Sequence, residues 1–190
     1  MCFSLEVSMG TGLFCWTVGF YLLKYKNLTK KQRMKVYFLL IFSSIQFADA
    51  ILWYIKMKPN RINYVVTSYV IPIILSVQIL FNPYIRNHNT NRIIDILNIT
   101  AIIYIFYKFN GYSLSSSCNK LSSPVWGNSE ITLIELLVFA FLILYPNFNS
   151  FTLIDLAIIF SVFLYFKGGY GSIWCAIACL ISIQLLVTYS

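Results

Sequence analysis

The stretch "VYFLLIFSSIQFADAILWYI", Val36 to Ile55, decides how the chain is read. It is apolar over the length a membrane-crossing helix needs, about 20 residues. Yet it holds Gln46 and Asp49, three residues apart. Helical periodicity places Gln46, Asp49 and Trp53 on one stripe. A carboxylate at the centre of a bilayer costs about 2.5–3.5 kcal/mol on insertion scales, so this stripe faces protein or a wet cavity rather than lipid. One reading is a helix-to-helix hydrogen bond, about 0.6 kcal/mol on average in membranes. The sharper reading is a site for a ligand, an ion or a proton.

The rest of the chain is equally oily. Of its 190 residues, 59% are hydrophobic, 18% aromatic and only 11% charged; the mean hydropathy is +0.75. A soluble domain carries about 25% charged residues. The chain therefore reads as an all-α, polytopic integral membrane protein with one domain, 1–190. The apolar runs predict seven helices: roughly Leu5 to Leu23, Val36 to Ile55, Tyr64 to Ile85, Ile93 to Tyr107, Ile131 to Tyr145, Phe151 to Phe166 and Tyr170 to Val187. The connection from Lys108 to Glu130, rich in Ser, Gly and Asn, reads as a loop. The first segment lacks a basic start and a cleavage site, and reads as a retained helix.

The net charge of +8 does not point to nucleic acid, because all fourteen Lys and Arg fall in the expected loops or at segment ends. A nucleic-acid surface would array them along a folded polar face. The expected partner is the lipid bilayer. The first loop, dense in charge from Lys24 to Lys35, is placed in the cytoplasm, so the N-terminus lies outside and the C-terminus inside. Plasma, internal and viral-envelope membranes fit equally. The oligomeric state is left open.

The six acids behave differently from the bases: Glu6, Asp49, Asp95, Glu130, Glu135 and Asp155 all fall within or at the edge of expected helices. In this topology Glu6, Asp49 and Glu135 sit at similar depth. They line one outward-facing pocket or face three different neighbours. Asp95 and Asp155 read as structural, with Arg92 a ready partner for Asp95. Gln78 and Asn82 form a second polar face on the third helix. Pro72 and Pro83 interrupt that helix and free carbonyls.

Five cysteines occur: Cys2, Cys15, Cys118, Cys175 and Cys179. No spacing matches a zinc motif. Cys15 and Cys179 read as buried small hydrophobes. Cys2, Cys118 and Cys175 fall toward the outside. Three alternatives stay open: a disulfide of Cys2 with Cys175 or Cys118, a metal site combining Cys2 and Cys175 with Glu6 or Asp49, or packing alone. Enzyme signatures are mostly missing. The one histidine is His88, and H-E-x-x-H, G-x-S-x-G and a phosphate-cradling glycine loop do not occur. No catalytic residue and no cofactor is expected.

Three stretches together carry a resemblance: "MCFSLEVS" from Met1 to Ser8, "IQFADAILW" from Ile45 to Trp53, and "GSIWC" from Gly171 to Cys175. The chain resembles an uncharacterised multi-pass membrane family of bacteria and large DNA viruses. Its members open MCFS-x-x-x-S and carry a late G-S-x-W-C. Cys2, Ser4, Ser8, Gln46, Asp49, Gly171, Trp174 and Cys175 match, with Asp49 standing where many members have glutamate. The resemblance implies that the first, second and last helices meet on the outer side. There they would gather Cys2, Ser4, Gln46, Asp49, Trp174 and Cys175.

The function expected is receptor-like or transporter-like. A small ligand, cation or proton binds in an outer-leaflet pocket at Ser4, Gln46, Asp49, Trp53, Glu135 and Trp174. The alternatives are a structural membrane protein, for example of a viral envelope, an ion or proton channel, and an intramembrane enzyme.

Overall fold

The computed structural model describes residues 4–85, 92–118, 121–127, 131–144, 157 and 170–189. Among the described residues the fold is a helical bundle with a small hairpin. The helices whose bounds lie in them are α1 (Leu5–Tyr25), α2 (Lys30–Ser43), α3 (Ile45–Tyr54), α4 (Arg61–Val65), α5 (Ile71–Ile85), α6 (Arg92–Lys108), α7 (Leu133–Leu144) and α8 (Tyr170–Tyr189). A π-turn, Val66–Val70, joins α4 to α5. All but position 157 of the expected sixth helix lies outside the described residues.

Two helices are long and apolar enough to cross a membrane, Lys30–Tyr54 and Arg61–Phe81. Leu133–Ile143 and Cys175–Tyr189 are apolar but shorter. Helix α1 has the length, 21 residues, but its glycines, threonines and Glu6 dilute its apolar character. The expectation of seven full spans therefore narrows, among the described residues, to two.

Helix starts follow local chemistry. Ser4 caps α1, its Oγ accepting from Val7 N at 3.3 Å; Glu6 in the first turn and Lys24 in the last suit the helix dipole. Helix α2 begins six residues before the expected Val36. Thr29 and Gln32 form a capping box there: Gln32 N donates to Thr29 Oγ1 at 3.3 Å, and Thr29 N to Gln32 Oε1 at 2.8 Å. The run Lys30–Tyr54 breaks at Ser44, where hydroxyls compete for backbone carbonyls. Ser43 Oγ donates to Leu39 O at 2.8 Å, and Ser44 Oγ to Leu40 O at 2.7 Å. Trp16 Nε1 also reaches Leu40 O, at 3.2 Å, tying α1 to the break.

The π-turn has a covalent cause. Pro72 has no N–H, and its ring would clash with the carbonyl four residues back. The chain widens by one residue, and Ile71 N–H reaches Val66 O instead.

The expected loop from Lys108 to Glu130 contains an antiparallel hairpin. Strand β1 (Leu114–Cys118) pairs with β2 (Leu121–Val125), Leu114 opposite Val125 and Cys118 opposite Leu121. Ser-rich strands lack apolar alternation, which is why the segment reads as loop.

Helix α1 packs on α2, α3 and α8; α2 on α5 and α8; α5 on α6 and α7; β2 lies against α8. Leu22, Leu39, Ile45, Leu52, Ile71 and Ile79 are fully buried between them. Gly12 lets α1 approach α3: an added Cβ would stand 3.1 Å from the Phe47 ring and 3.4 Å from Gln46 Oε1.

Candidate functional site

Gln46 and Asp49 lie on the inward stripe of α3, both 0% exposed. Trp126, just after β2, is buried beside them. Its Nε1–H donates to Asp49 Oδ1 at 2.8 Å. The second carboxylate oxygen, Oδ2, has no hydrogen-bond partner, and neither end of the Gln46 amide has one. The Gln46 amide turns toward α1, where it lies against Gly12 and near the Cys15 thiol. Cys179 and Ser182 of α8 adjoin Cys15 on the same side.

Trp126 is held from several directions. Its indole meets Phe109 edge to face, with centroids 6.0 Å apart. The next residue, Gly127, has φ of +75°, and an added Cβ would stand 3.0 Å from both Lys108 O and Phe109 Cα. The loop after Phe109 is fastened to the helix start by a buried polar network. Asn63 Nδ2 donates to Ser113 O at 2.9 Å and to Lys58 O at 3.1 Å. Asn63 Oδ1 accepts from Ser113 N at 2.8 Å and from Thr67 Oγ1 at 3.0 Å. Ser68 Oγ, in the π-turn, accepts from Gly111 N at 2.9 Å. The widened turn thus presents Thr67 and Ser68 to the loop that positions Trp126.

Gly127→Ala is expected to destabilise the protein by about 2–3 kcal/mol. It combines a left-handed backbone for an L-residue, about 1–2 kcal/mol, with a close approach to a backbone carbonyl. Chemical unfolding of the two proteins in detergent measures the difference.

Two of the expected site residues, Gln46 and Asp49, come together. The others fall elsewhere. Ser4 serves as the α1 cap. Glu6 is exposed. Trp53 is half-buried and packs against the core. Glu135 does not join Asp49. It pairs with Lys108 Nζ at 2.9 and 3.2 Å, accepts from Tyr104 Oη and closes a cap with Thr132. Depth along a helix put Glu6, Asp49 and Glu135 level with one another, but direction around the helix separates them. Asp95 and Arg92 form no ion pair with each other among the described residues.

Gln78 is fully buried with both amide atoms unpartnered, as are Ser76 Oγ on α5 and Asn98 Oδ1 on α6. The side chains of Asn82 and Trp174, and the whole of Cys2, lie outside the described residues. Cys175 is disulfide-bonded, while Cys15 and Cys179 are free. A sulfur in a disulfide is not a thiolate ligand, so the metal alternative for Cys175 is set aside. Among the described residues no group of His, Cys, Asp and Glu is arranged to hold a metal ion.

Trp126 was not among the expected residues. Its one sequence signal is a tryptophan placed in the polar string "SSPVWGN", Ser122 to Asn128, where nothing else calls for a large aromatic. Comparison with family models, curated proteins and solved structures found no match.

Proposed function

We propose that the chain is a seven-helix integral membrane protein, N-terminus outside, that binds a small cation or amine at Asp49 and Gln46 behind Trp126. One observation carries this reading. A fully buried carboxylate keeps one oxygen unpartnered, one helical turn from a fully buried amide that meets no polar group but the Cys15 thiol. Buried polar groups in native proteins are nearly always satisfied, and an intramembrane carboxylate without a counter-charge is costly. A cation or amine donor between Asp49 Oδ2 and Gln46 Oε1 supplies what both lack.

The membrane setting is supported by the two long apolar helices. It is also supported by large apolar side chains turned outward on several helices: Leu13 at 54%, Ile103 at 67% and Ile134 at 74% exposure. The Cys175 disulfide supports an oxidising compartment at that end of α8. The proposed topology puts the same end outside. The membrane family that the chain resembles shares Gln46 and an acid at position 49.

The test is thermal stability of the purified protein in detergent, wild type beside Asp49→Asn, over a panel of cations and amines. A ligand at 100 times its Kd is expected to stabilise the wild type by about 2.7 kcal/mol by mass action. Asp49→Asn is expected to lose that gain. The Trp126–Asp49 hydrogen bond favours a second reading, in which the stripe only fastens the hairpin to α3. Under that reading no ligand stabilises either protein and Asp49→Asn is simply less stable.

A further inference from the structure

The cysteines of α1 and α8 form a cluster that the Asp49 stripe does not use. Helix α8 carries Cys175, Cys179 and Ser182 at spacings of four and three, so all three share one face. Helix α1 packs on α8. There Cys15, 0% exposed, meets Cys179 in a thiol-to-thiol hydrogen bond, with Ser182 as its further neighbour on α8. Cys175 lies one turn before Cys179. It is also 0% exposed and is already in a disulfide. Three sulfurs thus follow one another at the α1–α8 contact: one in a closed bond, then two free thiols.

Two free thiols in contact beside a disulfide are chemically unsettled. Disulfides persist where the surroundings are oxidising, and a thiolate breaks a disulfide by attacking one of its sulfurs. Packing alone would be served by any small apolar side chain at positions 15 and 179. Each sulfur here stands next to one it can exchange with: Cys15 with Cys179 across the two helices, and Cys179 with Cys175 along α8.

We propose that Cys15, Cys179 and Cys175 form a thiol–disulfide relay, in which the Cys15–Cys179 dithiol passes two electrons to the Cys175 disulfide. Cys179, as thiolate, attacks the Cys175 sulfur. The Cys179–Cys175 bond forms, the old bond breaks, and the former partner of Cys175 leaves as a thiolate that takes up the proton Cys179 gave. Cys15, as thiolate, then attacks the Cys179 sulfur. The Cys15–Cys179 bond forms, and Cys175 leaves and takes the proton of Cys15. One disulfide and two thiols enter, and one disulfide and two thiols result, so no outside oxidant is needed. The middle species is strained. Helical residues four apart hold their Cβ atoms about 5–6 Å apart, whereas a disulfide wants about 3.5–4.5 Å. That mismatch makes the mixed bond easy to reduce and favours the second attack. The relay depends on neither the Asp49 ligand nor the membrane reading.

The test uses the full chain in detergent, under argon and without reductant, at about pH 8, near the ordinary thiol pKa. Samples are quenched with acid, denatured, alkylated with a maleimide and digested unreduced, and the disulfides are located by fragmentation. In the wild type a Cys15–Cys179 link is expected to grow in step with alkylated Cys175. A fully reduced sample, given one equivalent of oxidised glutathione per chain, meets that oxidant first at Cys179, the one of the three that is not fully buried. It is expected to reach the same ratio of the two disulfides from the opposite side. Cys179→Ser and Cys15→Ser are each expected to abolish the transfer and to leave the Cys175 disulfide intact; either variant that folds suffices. Full alkylation of Cys15 and Cys179 in the wild type, with the Cys175 bond unchanged, would overturn the relay and leave two structural thiols. A Cys15–Cys179 link that forms without releasing Cys175 would overturn it too. So would links spread at random over all five cysteines and unaffected by either variant.

Discussion

Asn63→Leu is expected to cost about 3–5 kcal/mol and to release the loop that carries Trp126. Leucine keeps the branching at Cγ but removes both ends of the amide. Four hydrogen bonds go at once, to Lys58 O, Ser113 O, Ser113 N and Thr67 Oγ1. The partners stay buried: Ser113 is 0% exposed and Thr67 is 0% exposed. A buried donor or acceptor left unmet costs about 1–3 kcal/mol, so the loss is set by the groups left behind more than by the bonds themselves. Ser113→Ala is the control. It removes only the 2.7 Å contact between Ser113 Oγ and Thr67 Oγ1, and is expected to cost about 1 kcal/mol. Equilibrium unfolding in detergent gives both values. Limited proteolysis then shows whether Asn63→Leu opens the 109–131 segment. Equal effects of the two variants would mean that Asn63 is not the centre of the network.

Trp126→Phe is the second large effect. The ring contact with Phe109 is largely kept, and the indole N–H is lost. Asp49 is then left buried with neither oxygen partnered. The expected cost is about 2–3 kcal/mol, at the upper end for an unmet buried group because the acceptor is a carboxyl. A double-mutant cycle with Asp49→Asn isolates the pair. The double variant is expected to lose less than the sum of the two singles. The variant also separates the two readings of the stripe. If ligand binding uses Asp49 Oδ2 and Gln46, Trp126→Phe still gains stability from the cation or amine. If the stripe only fastens the hairpin, neither single variant responds to any member of the panel.

Much of the helical frame can be read directly from the amino acids. The expected first and fourth helices, Leu5 to Leu23 and Ile93 to Tyr107, end within two residues of α1 and α6. Long apolar runs closed by lysines leave little room for another reading. Helix α2 starts before its apolar run because KKQRMK, which reads as a basic loop, follows the legible cap Thr29-x-x-Gln32. The hairpin leaves no alternation to read. The site divides in the same way. Gln46 and Asp49 announce themselves as polar letters in an apolar string. Trp126 reaches Asp49 from 77 positions away, and that pairing is made by the Asn63 network, which no local pattern encodes. Depth alone groups Glu135 with Asp49, since sequence carries no information on which way two separate helices are turned.

The widened turn at Val66–Val70 has a consequence for how such a helix is read at all. It adds one residue to a continuous rod, which is a phase shift of about 100° in the helical wheel. The stretches before and after it therefore keep two different clocks. Asn63 aims at the loop before the hairpin on the first; Leu75, Gln78 and Ile79 turn inward, with Ile73 and Leu80 outward, on the second. A single wheel drawn from Arg61 to Ile85 averages the two and blurs both faces. Removing one residue from the turn would reset the second clock to the first, rotating the whole of α5 against α2, α6 and α7 while leaving its composition almost untouched.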